Sequence, residues 1–382
     1  MAKVARVGCV DFWRGWVLIV ILIDHVPGNL LEWATPRNFG LSDSSEAFVF
    51  LSGLSVGMVY GPRAAARGWA SVALNCLRRA ARLYGVHLAL TLAGLIIFAA
   101  AYWLTGVESL ITPHGRSLAF ASPASALAGV ALLSHQLGYF NILPLYIVLM
   151  LWAPIALALA LWSPAIALMV SAIVYFAARE LGVHLPNWPD HGAWFFNPFA
   201  WQFMFTAGVV ASMCWREGPP RRPALLLISG VAVLACGLAA TDALWLAPGL
   251  RDTLFARLDV SKQDLGLARL AHFAAVAYLV AAAPSLAKIV KSPVGHAIQS
   301  LGRQSLTVFA VGSVAAALGQ AALGAAEPFA SAELEQFAAL AYTLVSVACL
   351  FVLVRWIECK KPVSAPRSVV SPASFVGSAG SA

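Results

Sequence analysis

The sequence predicts an all-α, polytopic integral membrane protein. Of its 382 residues, 60% are hydrophobic and only 11% are charged, whereas a soluble domain carries about a quarter charged residues. The mean hydropathy is +0.80. The 13 tryptophans suit the aromatic belts that form at membrane interfaces. The length suits a single polytopic domain.

Ten apolar segments approach or reach the length of a membrane-spanning helix, which needs about 20 residues with a range of about 17–25. The second and the fifth are short for a span. A further apolar segment, 124–135, is shorter still, and we interpret it as a re-entrant or interfacial piece, with an extra span as the alternative. The ten predicted spans are 12–31, 46–60, 84–104, 139–161, 164–178, 198–215, 223–240, 268–287, 304–323 and 336–356.

The distribution of charge predicts that both termini are cytoplasmic. In that orientation seventeen of the 25 Lys and Arg residues lie on the cytoplasmic side, and the opposite loops collect most acidic residues. The net charge of +8 is therefore explained by topology, and nucleic acid is not an expected partner. The first helix is expected to be retained, because Asp24-His25-Val26-Pro27 is unlike a small-residue cleavage site.

The predicted domain organisation is one transmembrane domain, residues 1–357, followed by a cytoplasmic tail, 358–382. The tail is rich in Ser, Pro, Ala and Gly, a composition typical of disorder. The six cysteines form no Cys-x-x-Cys pair. We therefore predict neither a disulfide framework nor a metal site.

The stretch DFWRGWVLIVILIDHVP, residues 11–27, places four ionisable side chains in or beside an apolar run. Because a helix turns about 100° per residue, Arg14 and His25 share a face, and Asp24 is turned about 100° away from His25. Asp11 lies three residues before Arg14 and can pair with it. At about 1.5 Å per residue, Arg14 and His25 are about 16 Å apart along the axis, with His25 a little beyond mid-membrane.

Ionisable groups inside a membrane usually face a polar cavity and mark a pathway or a site. His25 is a candidate general base, because the unperturbed pKa of histidine is near neutrality. Two structural alternatives stay open: Arg14 could extend its charge to the interface, and His25 could be a neutral histidine bonded to another helix. The shared face favours a catalytic group made of His25, Arg14 and Asp11.

The second basic element is LRRAARLYGVH, residues 77–87, which enters the third predicted span from the cytoplasmic side. Arg79 and Arg82 are three residues apart on one helical face, and Arg78 is adjacent. Guanidinium groups bind phosphate through paired hydrogen bonds, so these arginines are candidates for holding a phosphate group. The alternative is that they only fix the topology.

Five motifs occur in order along the chain: DFWRG…DHVP in the first helix, SEAFVFLSGLSVG (45–57), RRAARLYGVH (78–87), LPLYIVLM (143–150) and NPFAWQFMFTAG (197–208). Together they resemble the OpgC family, which belongs to the acyltransferase-3 superfamily of membrane O-acyltransferases. The resemblance extends to about residue 357.

This resemblance implies an enzyme of the bacterial inner membrane that transfers an acyl group, succinyl in the named family member, from cytoplasmic acyl-CoA to a periplasmic glycan. In the superfamily a first-helix Arg, a first-helix His and a cytoplasmic Arg-x-x-Arg recur, and they match Arg14, His25, and Arg79 with Arg82. Acyl-CoA is then a co-substrate, with its phosphates at the arginines and its thioester near His25. No separate cofactor is expected.

Two further stretches bear on the acceptor. Asp43 and Glu46 begin the second predicted helix with the spacing of a capping box, so a structural role is favoured over acceptor contact. The periplasmic loop 184–201 is rich in aromatic side chains that can stack on sugar rings, among them Trp194 and Trp201. An aromatic belt predicts the same composition.

A competing hypothesis is a non-catalytic transporter or flippase of a glycan or lipid-linked carrier. Such proteins usually contain internal repeats with broken helices, and no repeat is obvious in this sequence, so the acyltransferase is favoured. No residue distinguishes succinyl from acetyl as the acyl group. The carboxylate of a succinyl group would need a basic partner, for which the candidates are Arg116, Arg179, Arg251 and Arg257.

Overall fold

The computed structural model describes residues 8–215, 218–243, 245–327 and 330–360, and throughout these ranges the regular secondary structure is helical. Three short 3₁₀ turns (Leu30–Ala34, Pro36–Asn38 and Glu108–Leu110) join the longer elements. The α-helices are α1 (Gly8–His25), α2 (Ser44–Arg67), α3 (Trp69–Thr105), α4 (Arg116–Ala121), α5 (Pro123–Ala131), α6 (Ile142–Trp162), α7 (Pro164–Glu180), α8 (Pro198–Cys214), α9 (Pro223–Ala240), α10 (Leu250–Arg257), α11 (Leu267–Ala282), α12 (Pro284–Val290), α13 (Pro293–Arg303), α14 (Ser305–Ala326) and α15 (Ala332–Lys360).

Each of the ten predicted spans falls on a helix, namely α1, α2, α3, α6, α7, α8, α9, α11, α14 or α15. Within the described residues five of these, α3, α6, α9, α14 and α15, are both long and apolar enough to cross a membrane. The all-helical, multi-pass membrane class is therefore supported. The count of ten and the cytoplasmic position of both termini stay predictions.

The apolar segment 124–135 does not form a full span. Its helix, α5, has nine residues, which at about 1.5 Å per residue is about 14 Å, less than half of a bilayer core of about 30 Å. This length agrees with a re-entrant or interfacial piece. At the other end of the chain, α15 continues to Lys360, so the first three residues of the predicted tail are helical. The remainder, 361–382, lies outside the described residues.

The first helix ends six residues earlier than the predicted span. Pro27 disfavours a helical conformation in the residue before it, and Gly28 has a left-handed φ of +73°. Asn29 completes the break: its Oδ1 accepts from the Leu31 N–H at 3.0 Å, and its amide donates to the Ile23 carbonyl at 2.9 Å. His25 is therefore the last helical residue, where the chain turns, rather than a residue inside a span.

The third helix begins at Trp69, fifteen residues before the predicted span, and has 37 residues in all. Gly68 separates it from α2 with a left-handed φ of +75°. The basic run 77–87 is consequently part of one continuous helix. Its side chains are fixed in register with the membrane-embedded part of α3.

The core lies around α6, most of whose side chains are buried. Beside it, α2 and α8 approach each other closely at glycine residues. A Cβ added to Gly53 on α2 would collide with the Phe205 carbonyl on α8, and one added to Gly208 would collide with the Phe50 carbonyl. Small residues of this kind let membrane helices approach closely. α2 and α8 are thus closely packed, and α2 also contacts the first helix.

The first helix is held against α13 in the same way. A Cβ on Gly15 would collide with the Ile298 carbonyl, and a Cβ on Gly302 with the Asp11 carbonyl. α1 also packs on α14. These contacts fix the rotation of α1 about its own axis, and with it the direction in which its ionisable side chains point.

Candidate active site

His25 lies in the wall of two adjoining clefts between α1, α14 and the turn that precedes α6. The first cleft is narrow and is lined by His25, Phe98, Tyr139 and Gln320 among others. The second, equally narrow, continues along α1 and α14. We call the two together the His25 cleft. The imidazole is thus the shared boundary of both spaces.

Two neighbours, Gln320 and Tyr139, fix the position of His25. Gln320 of α14 donates from Nε2 to the His25 backbone carbonyl at 2.8 Å, which anchors the last turn of α1. The Tyr139 ring meets the imidazole edge-on, with 4.6 Å between ring centroids. Tyr139 in turn lies 4.8 Å from the His114 ring, centroid to centroid. Tyr139 has a φ of +72°, uncommon for a bulky residue, so its placement is set by the surrounding structure.

The face of α1 predicted from helical spacing is the face that meets α14. Arg14 donates from Nη2 to the Ser305 hydroxyl at 2.6 Å, near the start of α14, and His25 contacts Gln320 near its end. Asp24 points elsewhere, toward Thr35, as the 100° rotation predicts. Asp11 is buried within α1. The bond of Arg14 to Ser305 and the cleft that His25 lines together with α14 place both residues on the α14 side of α1.

Arg79 turns into the protein, whereas Arg78 and Arg82 are exposed on the outer side of α3. The Arg79 Nη2 donates to the Tyr146 hydroxyl at 3.1 Å, and its guanidinium lies 5.6 Å from the centre of that ring. Tyr146 on α6 is buried and also lies within the electrostatic influence of Arg14. Two arginines from two helices thus converge on one tyrosine, and Arg82 does not join them.

Asp43 and Glu46 form the capping box that their spacing predicts. The Asp43 N–H donates to Glu46 Oε2 at 2.8 Å, and the Ser45 N–H donates to Asp43 Oδ1 at 2.8 Å. Both carboxylates are also ion-paired: Lys262 reaches Asp43 at 2.6 Å, and Arg269 reaches Asp43 at 3.1 Å and Glu46 at 2.6 Å. We call Asp43, Glu46, Lys262 and Arg269 the ion cluster.

The ion cluster favours the charged form of Asp43. Burial alone raises the pKa of this carboxyl, but the charges of Lys262 and Arg269 outweigh burial and hold the pKa below its usual value. The side chain is only 11% exposed, and Glu46 is fully buried. Their lone pairs serve the cap and the ion pairs, which supports the structural role.

Trp194 and Trp201 are both buried and tie two loops together. The Trp201 Nε1 donates to the carbonyls of Lys262 and Gln263 at 3.1 Å, and the Trp194 carbonyl accepts from Gln263 Nε2 at 2.9 Å. Neither ring offers a free face to a sugar, so this placement gives their predicted acceptor contact no support. The rings of Trp188 and Phe195, each 47% exposed, are the accessible ones on this loop.

Sequence reasoning missed several residues of the site. Tyr139, Tyr146 and Gln320 surround the ionisable groups of α1, and their signal, a polar residue within or beside an apolar segment, was present in the sequence. Arg269 lay inside a predicted span with the same signal. Among the described residues, no group of three or more His, Cys, Asp or Glu side chains is placed to hold a metal ion.

Comparison with known proteins agrees with the motifs. A family model described as OpgC protein matches residues 6–361, nearly the whole chain, and confirms the resemblance. A search of curated proteins gave no significant match, and a search of solved structures gave none. On the extent of the family match, the chain belongs to the OpgC family.

Proposed function

We propose that this protein is an O-acyltransferase of the bacterial inner membrane, which transfers an acyl group, succinyl in the first instance, from cytoplasmic acyl-CoA to hydroxyl groups of a periplasmic glucan. Family membership supports acyl transfer to a periplasmic glucan. The single observation that carries the proposal is the position of His25, which lines both parts of a cleft at the end of a membrane helix.

The orientation we propose has ten spans and cytoplasmic termini. α1 and α14 run parallel, because Arg14 meets the start of α14 and His25 meets its end. As the first and the ninth span they must run in the same direction in this topology. The parallel arrangement therefore supports the proposed map.

The donor enters from the cytoplasmic end of the bundle in this proposal. Arg78 and Arg82 are exposed on α3 and are free to meet the phosphates of acyl-CoA, for which guanidinium is well suited. Arg79 and Arg14, with Asp11 in the turn before Arg14, stand along the route between those phosphates and His25. The long arm of the donor passes Tyr146 and presents the thioester in the His25 cleft.

The reaction follows from the position of the base. His25 takes the proton of the acceptor hydroxyl as the hydroxyl oxygen attacks the thioester carbon. The new bond joins that oxygen to the acyl carbon, the carbon–sulfur bond breaks, and the proton passes from His25 to the departing thiolate. Gln320 and Tyr139 hold the imidazole in place throughout. A base so placed contributes typically about 10²–10⁴-fold.

The function is tested by mass spectrometry of periplasmic glucans from cells with and without this protein. We expect acyl substituents only where the protein is present, and transfer by the purified protein from acyl-CoA to unmodified glucan. Identical acylated glucans in both strains would contradict the proposal. Loss of glucan from the periplasm, with its acylation unchanged, would instead support the transporter hypothesis.

A further inference from the structure

We propose that Arg116 binds the free carboxylate of a dicarboxylic acyl group and so determines which acyl donor the enzyme uses. This inference rests on the function proposed above. It assigns a specificity role to a side chain outside the group formed by His25, Arg14 and Arg79.

Arg116 stacks on Phe98, one of the residues that line the His25 cleft. It begins α4, its side chain is 94% buried (6% exposed), and its guanidinium carbon lies 3.8 Å from the centre of the Phe98 ring. Phe98 and Tyr139 both line the cleft with His25, and Tyr139 is close enough to Arg116 for the two groups to interact electrostatically. Phe98 and Tyr139 are therefore neighbours of the cation as well as parts of the cleft wall that contains His25.

The charge of Arg116 is not matched within the described part of the chain. No group there accepts a hydrogen bond from its Nε, and no carboxylate there forms an ion pair with it. Arg179, another of the arginines considered from the sequence, pairs instead with Asp259 at 2.6 Å. Burying a charge without an anion is costly. A ligand carboxylate would supply the missing anion.

Arg116 remains a cation under physiological conditions. Burial lowers the pKa of its guanidinium to about 10, which is still well above neutral pH. Stacking on Phe98 provides partial compensation through the ring quadrupole, but it leaves the N–H donors available. The group can therefore form charge-assisted hydrogen bonds with a carboxylate.

The proposed route of acyl-CoA directs its acyl group toward the side of the cleft where Arg116 lies. If the carrier passes Arg14 and Tyr146 on its way to His25, the acyl chain beyond the thioester points away from them. Tyr139, Phe98 and Arg116 lie on that far side of the cleft. A short dicarboxylic acyl group would place its free carboxylate at Arg116, whereas a neutral acyl group would leave the cation unpaired.

The test compares two donors of equal chain length, succinyl-CoA and butyryl-CoA, with a neutral, unsubstituted glucan as acceptor. Arg116→Gln should lower kcat/KM for succinyl-CoA by about 10–100-fold, the loss expected for hydrogen bonds to a charged group. The same variant should leave kcat/KM for butyryl-CoA within about threefold, and Arg116→Lys should retain part of the succinyl preference. Arg251→Gln, an exposed arginine beside Phe255, is the matched control and should change neither.

Each other outcome has a definite meaning. Equal use of both donors by the wild type would overturn the role of Arg116 and leave the acyltransferase function standing. Equal loss with both donors and a lower unfolding temperature would show that Arg116 only holds α4 on α3. Transfer of neither donor by the wild type would overturn the proposed function itself, and this inference with it.

Discussion

Two groups of ionisable side chains, the ion cluster and the His25 cleft, differ in how fully they are paired. In the ion cluster each charged head lies within 3.1 Å of an opposite charge. At the cleft the His25 ring has a backbone partner, Ile21, and no carboxylate partner among the described residues, and the Nε of the nearby Arg116 has no acceptor there. Both groups stand beside apolar helices.

This difference in pairing distinguishes groups that stabilise the fold from groups that are available for chemistry. Buried charges that pair with one another hold elements together, here α2, α11 and the loop before α11. Removing one partner leaves the other charge buried and unpaired. Buried polar groups with unused valences carry a cost that the fold does not recover by itself. Such groups are expected where a substrate completes the bonding. Substitutions in the ion cluster should therefore act on stability, and substitutions in the cleft on activity.

The largest effect is expected for His25→Ala. Loss of the base should lower acyl transfer by about 10²–10⁴-fold, because a hydroxyl is a poor nucleophile without one. The unfolding temperature should change little, since the anchoring bond to Gln320 uses the backbone carbonyl. Glucan acylation and thermal unfolding of the purified variant are the measurements. Asp24→Asn is the matched control, because Asp24 is adjacent but faces away, and it should retain most of the activity.

Glu46→Ala tests the other side of the comparison. Arg269 would lose its 2.6 Å partner and remain buried, which should lower the free energy of unfolding by about 3–5 kcal/mol. The activity per folded molecule should stay near that of the wild type. Glu32→Ala is the control. The pair of Glu32 with Arg37 is exposed, so this substitution should lower the free energy of unfolding by only about 0–1 kcal/mol, measured in mixed micelles. Equal losses for both variants would contradict the distinction.

The ion cluster also predicts a response to acid. Because the pKa of Asp43 is lowered in the folded protein, its contribution to stability is complete above the unfolded pKa of about 4 and is lost as the pH falls toward the lower folded value. The unfolding temperature should therefore fall below about pH 4. Asp43→Asn should flatten that dependence. If the unfolding temperature of this variant still falls below about pH 4 as in the wild type, another carboxylate is responsible for the loss of stability in acid.

The smallest effect is expected for Arg79→Gln. If Arg79 only stabilises the bound donor, its loss should raise KM for acyl-CoA by about tenfold and leave kcat nearly unchanged. KM for the glucan should not change. A fall in kcat with no change in the donor KM would instead indicate that Arg79 acts through its bond to Tyr146.

Features determined by local periodicity were predictable from the sequence. Apolar runs of about 20 residues gave the positions of ten helices, because each span must bury its own backbone bonds. The 100° turn gave the shared face of Arg14 and His25, and the spacing of Asp43 and Glu46 gave the capping box.

Features that depend on packing between distant parts of the chain were not predictable from the sequence. The pairing of Glu46 with Arg269 joins residues more than 200 positions apart, which no local pattern contains. Composition could not tell an aromatic belt from buried rings such as Trp201. The effect of Pro27 and Gly28 on the end of α1 was readable locally, and overlooking it placed His25 inside a span rather than at a helix end.

The most direct test of the central claim is the rate of acyl transfer by purified His25→Gln protein, measured with acyl-CoA and unmodified glucan and expressed per folded molecule. Glutamine keeps a hydrogen-bonding side chain of similar reach but cannot take the hydroxyl proton. The account predicts a loss of about 10²–10⁴-fold with an unfolding temperature close to that of the wild type. A rate near the wild-type value would contradict it and would leave His25 a structural histidine.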